Sequence, residues 1–223
     1  MLKYCEDKKD CWLIYELCKG QTMNEALFNV KGEFYKGERI YMVHHSNLYH
    51  AMRNNHRLMI DFIQRMSSVL ELFLQAGVVH ADLKPDNILV DFDEQTQTIK
   101  SLKIIDLGSS FLLNSEETKL KDQVEFGQST PEYLPPEIQL YLTRKYTQQN
   151  NYQISDFSEI AFVFDVWSLG SILLEIISGF PLWLSLKSRV KSLDNRSIVN
   201  YGIFGVSGRD NAKILQKQNQ IFG

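Results

Sequence analysis

The stretch His80–Val90, HADLKPDNILV, constrains this chain more than any other, because it sets three different polar side chains at short steps before an apolar run. Asp82 offers a carboxylate that can accept a proton, Lys84 carries a fixed positive charge, and Asn87 has a neutral oxygen suited to a metal ion. These are the parts that a phosphoryl transfer requires. Taken alone, the same spacing is also compatible with a turn that carries solvated charges.

Three further motifs follow this loop along the chain, and together they indicate a function more specifically than the loop alone does. The sequence IIDLG places Asp106 at the end of a predicted strand, nineteen residues after Asn87. STPEYLPPE (residues 129–137) and DVWSLG (residues 165–170) come next. Four motifs in this order are a more specific signal than the loop alone.

Hydrophobic periodicity predicts the elements that flank the loop. Apolar residues recur at helical spacing over residues 59–74, and Gly77 is placed to end that helix. NILVDF and LKIIDLG predict two short strands around a polar turn at residues 93–101. Upstream, Cys11–Leu17 has the composition of a strand, and QTMNEAL predicts the first turns of a helix capped by Thr22. Residues 29–55 give mixed signals that suggest turns between short extended pieces.

Composition places the chain among soluble globular proteins, with 44% hydrophobic and 23% charged residues. A net charge of −3 gives no reason to expect nucleic acid or an anionic membrane as a partner. The three cysteines, Cys5, Cys11 and Cys18, are odd in number and match no zinc spacing. They favour a reduced intracellular compartment, and we expect a cytoplasmic protein.

One apolar run, residues 160–186, has the length of a membrane span. It contains Asp165 and Glu175, and a charge at the centre of a bilayer costs about 2.5–3.5 kcal/mol on insertion scales. A helix that is apolar on all sides is otherwise one buried in a soluble core. The run therefore predicts a buried helix.

Together the motifs resemble the C-terminal lobe of a eukaryotic protein kinase of the Ser/Thr type. HADLKPDN is similar to the catalytic loop, DLG to the Asp-Phe-Gly metal motif, PPE to Ala-Pro-Glu, and DVWSLG to the start of the long central helix. The resemblance covers residues 2–183. It implies an α+β, mainly α-helical fold, a kinase large lobe with remnant small-lobe strands and a hinge. Residues 1–20 would be that remnant and hinge, and residues 21–223 the large lobe, incomplete at its C-terminus.

The resemblance implies a role for each matching residue. Asp82 would orient the substrate hydroxyl and accept its proton, and Lys84 would neutralise charge on the γ-phosphate of ATP. Asn87 and Asp106 would hold magnesium between the phosphates. Thr130 would bridge Asp82 and Lys84, a feature of the Ser/Thr kinases.

The resemblance also implies a binding surface for adenine. Leu89 would form the floor beneath the base, with Met23 beside it. The backbones of Glu16 and Cys18 would be the hinge contacts to the adenine edge, and Tyr15 the gatekeeper.

Supporting positions match the family as well. His80 and Leu107 would belong to the packed column that links the lobes, and Asp165 would hold the backbone of the catalytic loop. Ala81 stands where many kinases have an Arg that pairs with a phosphate on the activation segment. We therefore predict that activity does not depend on modification of the segment at residues 115 and 118, a Ser and a Thr.

The implied function is transfer of the ATP γ-phosphate, with Mg²⁺, to Ser/Thr hydroxyls of protein substrates. The chain shows no glycine-rich loop, β3 lysine or αC glutamate, so we expect a fragment of a kinase or a truncated product. That absence also supports an alternative, a non-catalytic kinase-like interaction module, although such a module has no physical need for all four polar residues. A small-molecule phosphotransferase of the aminoglycoside or choline type shares the Asp-to-Asn spacing but lacks TPEYLPPE and DVWSLG.

Overall fold

The computed structural model describes residues 3–7, 10–35, 38–113, 129–140, 157–179, 181, 214–216 and 218–220. In chain order the strands and helices are β1 (Lys3–Glu6), β2 (Cys11–Ile14), β3 (Gln21–Thr22), α1 (Met23–Leu27), β4 (Phe28–Tyr35), β5 (Glu38–His45), α2 (Asn47–Asn54), α3 (His56–Gln75), β6 (Val78–Val79), β7 (Ile88–Asp93), β8 (Thr98–Ile104), β9 (Phe111–Leu112) and α4 (Phe157–Ser178). Short 3₁₀ turns lie at Pro85–Asn87, Leu107–Ser109 and Pro131–Tyr133, and residues 136–140 are helical.

The long helix predicted before the catalytic-type loop is confirmed as α3. Phe62 and Met66 are fully buried in the main core, and the chain leaves the helix through Gly77, whose φ is 66°. The predicted apolar face is only partly buried, because Ile60 and Leu74 are 52% and 50% exposed. The hydrophobic periodicity thus predicted where the helix lies, but it overestimated how much of the apolar face is buried.

The predicted helix after Gly20 is confirmed as α1, with Thr22 as its cap. The Thr22 hydroxyl accepts from the Glu25 N–H, and the Glu25 carboxylate accepts from the Thr22 N–H, which is a capping box. Thr22 also pairs with Leu89, because β3, β7 and β8 form one antiparallel sheet. One local signal, the capping box, and one long-range pairing therefore fix where this segment meets the sheet.

The region with mixed signals forms a long antiparallel hairpin, β4–β5, followed by α2. The expectation of short extended pieces underestimated both strands, which have eight residues each. At the base of the hairpin the His45 ring stacks on Tyr49 with centroids 4.1 Å apart. Its Nε2 also lies 2.8 Å from the carbonyl oxygen of Gly179, just after α4. The hairpin is thus tied to the end of the central helix.

Residues 160–178 of the apolar run are helical, as predicted, and α4 begins before Asp165, whereas residues 180 and 182–186 lie outside the described residues. Its buried face includes the polar residues Asp165, Ser168, Ser171 and Glu175. Within the described part of the chain, no helix is long and apolar enough to cross a membrane. The core formed by α1, α2, α3, β7 and α4 reaches the loop through Leu83 and Ile88, which are fully buried.

Gly20 carries the first of our predictions, because its conformation excludes a side chain. Its φ is +109°, and a Cβ would lie 2.5 Å from the carbonyl oxygen of Val90 and 3.0 Å from the nitrogen of Asp91. We expect Gly20→Ala to lower the free energy of unfolding by about 1–3 kcal/mol, through backbone strain and separation of β3 from β7. Urea denaturation measures this loss.

The matched control is Gly170→Ala in the middle of α4. A Cβ there meets nothing within 4 Å, and alanine is favoured over glycine in a helix by about 1 kcal/mol. The control should therefore be neutral or stabilising. Equal unfolding midpoints for the two variants would contradict the account of Gly20.

Candidate active site

The β7–β8 hairpin positions the two ends of the candidate site. The Pro85–Asn87 turn leads directly into β7. At the end of β8, the N–H of Ile105 donates to the carbonyl oxygen of Asn87 over 2.9 Å. Asp106 follows at once, so the hairpin brings it next to Asn87 as the sequence predicts.

Asp82 lies at the centre of the site and is only 6% exposed. Its Oδ2 accepts from Lys84 Nζ at 2.8 Å and from Asn87 Nδ2 at 3.1 Å. Its Oδ1 accepts from the backbone N–H of Thr130 at 2.6 Å. A carboxylate has about four acceptor positions, so these three donors hold it in one orientation and leave room for one more hydrogen atom, such as that of a hydroxyl.

The bridge expected from Thr130 is present. Its backbone binds Asp82, and its Oγ1 lies 2.5 Å from Lys84 Nζ. Lys84 therefore sits between a carboxylate and a hydroxyl, with its charge fixed close to the proton acceptor. This geometry joins the loop to a segment 48 residues away.

Both expected metal ligands have side-chain oxygen atoms, Asn87 in a buried position and Asp106 in an exposed one. Asn87 Nδ2 donates to both the carbonyl and the carboxylate of Asp82, which leaves its Oδ1 available to a cation. Asp106 is exposed and has left-handed backbone angles, φ 63° and ψ 74°. Its side chain accepts from the N–H of Gly108 at 3.2 Å. Carboxylate and amide oxygens suit Mg²⁺, so these residues fit the ion that the resemblance implies.

Asp165 holds the backbone of the loop, as expected. Its two carboxylate oxygens accept from the N–H groups of His80 at 2.8 Å and Ala81 at 3.0 Å. Burial raises the pKa of Asp165 above its ordinary value, although the two N–H groups act in the opposite direction. Ala81 has a φ of 64°, a costly conformation for a residue with a side chain, so these bonds stabilise a strained turn.

His80 and Leu107, both expected in a packed column, differ in burial. His80 is fully buried, and its Nε2–H donates to the carbonyl oxygen of Ile105 at 3.1 Å. With the proton on Nε2, its Nδ1 accepts from the N–H of Asp82 at 3.3 Å. Leu107, in contrast, is 55% exposed, so the prediction that it packs is wrong for the described residues. The left-handed turn at Asp106 directs the next side chain towards solvent.

The residues expected around adenine are only partly placed for that role. Leu89 is half-buried on β7, between Thr22 on β3 and Lys103 on β8. Met23 must be corrected, because it is fully buried in the core and presents no surface to a ligand. Its position as the first residue of α1 turns it inward.

Residues 15–19 lie outside the strands and helices and are mostly exposed. Tyr15 is exposed rather than packed at the back of a cleft. The Cys18 thiol donates to the carbonyl oxygen of Glu16 at 3.7 Å.

Several contacts at the site carried no sequence signal. Lys103 Nζ lies 3.4 Å from Glu16 Oε1, and its pKa is raised by the Cys18 thiol and by Glu16. Asn24 Nδ2 donates to Asp86 Oδ1 at 3.0 Å, next to the catalytic-type residues. These partners are 87 and 62 residues apart, so no local pattern could reveal them. Residues 115 and 118 lie outside the described residues.

The comparisons with known proteins agree with the geometry. The family described as Protein kinase domain matches residues 1–218. The chain is 28% identical over 185 residues to MAP kinase-interacting serine/threonine-protein kinase 1 of Xenopus tropicalis, covering 81% of the chain and 39% of that protein. It is 30% identical over 184 residues to MAP kinase-interacting serine/threonine-protein kinase 2 of Xenopus laevis, covering 81% and 32%.

A third relative is an Aurora kinase of Yarrowia lipolytica, 30% identical over 158 residues, covering 67% of the chain and 35% of that protein. The chain spans less than two fifths of the length of each of these three relatives. Among solved structures, one match is the crystal structure of the yeast RNA Pol II CTD kinase CTDK-1 complex. It has 19% identity and a TM-score of 0.35, covering 72% of the chain and 47% of that chain.

Proposed function

Because the chain belongs to the protein kinase domain family, with Ser/Thr kinases among its relatives, we propose that it carries the catalytic machinery that transfers the γ-phosphate of ATP to Ser/Thr hydroxyls of protein substrates. The observation that supports this best is the set of donors around Asp82. Lys84, Asn87 and the backbone of Thr130 all bind one buried carboxylate. This arrangement places the proton acceptor, Asp82, beside the cation of Lys84 and bonds it to Thr130 in the segment 129–137.

In this mechanism Asp82 interacts with the hydroxyl group of the substrate. Its remaining acceptor position orients the hydroxyl of the substrate and receives its proton as the new bond to phosphorus forms. Because Thr130 and Asn87 prevent rotation of the carboxylate, the hydroxyl is held in one direction, which reduces the entropy cost of reaction. Lys84, 2.8 Å from the same carboxylate, stabilises negative charge on the transferred group.

On the phosphate side, Asn87 and Asp106 are the proposed ligands of Mg²⁺. The bound ion supplies charge neutralisation between the phosphates. Asn87 contributes its Oδ1 while its Nδ2 holds Asp82, so one side chain links the two halves of the site. Asp106 contributes its exposed carboxylate from the strained turn after β8.

The adenine would lie against Leu89, with hinge contacts from the backbones of Glu16 and Cys18. In this layout residues 1–20 are small-lobe strands and the hinge, and residues 21–223 belong to the large lobe. Two features support the assignment. Strands β1 and β2 pair only with each other within the described residues, and residues 15–19 connect them to β3 in an extended, exposed form.

The test is transfer of ³²P from [γ-³²P]ATP in the presence of Mg²⁺, with the longest natural protein that contains this sequence. A mixture of dephosphorylated proteins is compared with aminoglycosides and choline as acceptors. We expect label in protein, and phosphoamino acid analysis should find it on Ser and Thr. Label only in the small molecules would replace the proposal with a small-molecule phosphotransferase, and no transfer at all would favour the non-catalytic module.

A further inference from the structure

The helical residues 214–216 and 218–220 pack directly against the segment that follows Thr130. Ile214 and Gln218 are 0% and 1% exposed, so this part of the chain enters the core. Gln218 Nε2 donates to the carbonyl oxygen of Leu134 at 2.7 Å, across 84 residues of sequence. The contact is buried on both sides.

This hydrogen bond belongs to a set that fixes one short stretch of backbone. The carbonyl oxygen of Pro131 accepts from the side-chain amide of Gln139, and that of Tyr133 accepts from Ser168 Oγ at 2.9 Å. Gln218 completes the set at Leu134. A 3₁₀ turn of three residues satisfies few of its own carbonyl groups, so buried side chains from three separate segments do so instead.

The fixed turn bears directly on the reacting groups. It begins at Thr130, whose N–H binds Asp82 at 2.6 Å and whose Oγ1 lies 2.5 Å from Lys84 Nζ. Through these two bonds the turn contacts both the proton acceptor and the cation of the site. A displacement of the turn would therefore change the position of the groups that meet the hydroxyl of a protein substrate.

The amide at position 218 is stabilising through its donor and destabilising through its oxygen. Within the described residues, the Oε1 of Gln218 has no hydrogen-bond partner although it is buried. An unsatisfied buried acceptor is destabilising, and an apolar side chain of similar volume would avoid that cost. What only the amide provides is the donor to Leu134.

We propose that Gln218 is a positioning residue for the protein substrate. Its donor holds the turn after Thr130 so that the polypeptide and its hydroxyl are presented to Asp82. The inference rests on the proposed kinase function, and it adds that residues 214–216 and 218–220 support the turn that meets the protein substrate, rather than only covering the core.

The experiment compares Gln218→Met with Gln216→Met in the full protein. Methionine keeps the volume of Gln218 and removes the donor, whereas Gln216 is exposed on the same segment and is the matched control. In Gln218→Met the KM for a protein substrate should rise about tenfold while the KM for ATP changes less than about twofold. A purely structural role would instead lower the active fraction, and hence kcat, without changing either KM.

A second measurement does not need activity. The N–H groups of Tyr133 and Leu134 are bonded within the turn, to Thr130 and Pro131. Their hydrogen exchange should accelerate about tenfold in Gln218→Met but not in Gln216→Met, with exchange in α3 unchanged. Unchanged exchange at the turn would overturn the proposal whether or not the protein transfers phosphate. Active enzyme with an unchanged KM for the protein substrate would overturn it as well, without affecting the kinase function itself.

Gln218→Glu is a second test variant, to be used if Gln218→Met does not fold. The glutamate has the shape of glutamine, but its ionised form has no donor and faces the carbonyl oxygen of Leu134. Its protonated form can donate again. Relative to wild type, exchange at the turn should therefore be fast at alkaline pH and return towards the wild-type rate as the pH is lowered. If the ratio of the exchange rate in Gln218→Glu to that in wild type did not change with pH, this would count against the proposed hydrogen bond.

Discussion

Replacement of Asp82 by Asn should lower phosphate transfer by about 10²–10⁴-fold, the range for loss of a general base. The change removes the proton acceptor and replaces one carboxylate oxygen with an NH₂ group. That group cannot accept from Thr130 or Lys84, which now bind the two oxygens at 2.6 and 2.8 Å. Initial rates of ³²P transfer to protein at saturating ATP measure the effect.

The control for this variant is Asp61→Asn on α3. Asp61 is solvent-accessible, lies outside the site and pairs with Arg65 one turn along the helix at 2.9 Å. Surface pairs of this kind contribute little, so the control should transfer phosphate at the wild-type rate. If Asp82→Asn kept its rate within about threefold of the control, the role assigned to the carboxylate would have to be abandoned.

Asp165→Asn should have the largest effect on stability, about 2–4 kcal/mol near pH 4. One Asn oxygen cannot replace two carboxylate oxygens, so the N–H of either His80 or Ala81 loses its buried acceptor. Because Ala81 is held at a φ of 64°, loss of its bond also releases the strained turn before Asp82. Transfer activity should fall with stability, since the loop backbone loses its support.

The pH dependence of this deficit has a definite sign. Burial raises the pKa of Asp165 in the folded state above its ordinary value of 3.8. The protonated carboxyl therefore favours the folded state, and this contribution is fully present at low pH and is lost as the pH rises through the raised pKa. The variant lacks it, so the deficit should be largest near pH 4 and smaller near pH 7.

Urea denaturation across this range tests the prediction, with Asp61→Asn as the reference. The reference should show a small difference from wild type at every pH. A deficit of Asp165→Asn that increases towards neutral pH would show that the carboxylate, rather than the carboxylic acid, is the form that the fold stabilises.

Local elements were predictable because their signals are local. The capping box of Thr22 and Glu25 lies within four residues, and α3 follows from apolar residues at helical spacing. The strands β7 and β8 follow from two β-rich runs around a polar turn, although β8 starts at Thr98, inside the stretch predicted as turn. Elements of this kind depend on neighbouring residues alone.

The failures share a different cause. The strands β4 and β5 had mixed local signals, and the base of their hairpin is held by contact of His45 with Gly179, which is 134 residues away. Met23 was expected beside adenine but is in the core, and Leu107 was expected in the packed column that links the lobes but is exposed. Burial is decided by what packs on a residue, and that information is not in its immediate sequence.

The amino-acid sequence by itself determined which chemical groups the candidate site offers and their order along the chain: Asp82, Lys84, Asn87 and Asp106. Only the tertiary structure decided how they are held. Thr130 reaches Asp82 across 48 residues, Asp165 reaches His80 across 85, and Gln218 reaches Leu134 across 84. Spacing can specify a turn or a helix, because backbone geometry limits what near neighbours can do. It cannot specify which distant donor will satisfy a buried acceptor, because that choice is made by the packing of the whole core.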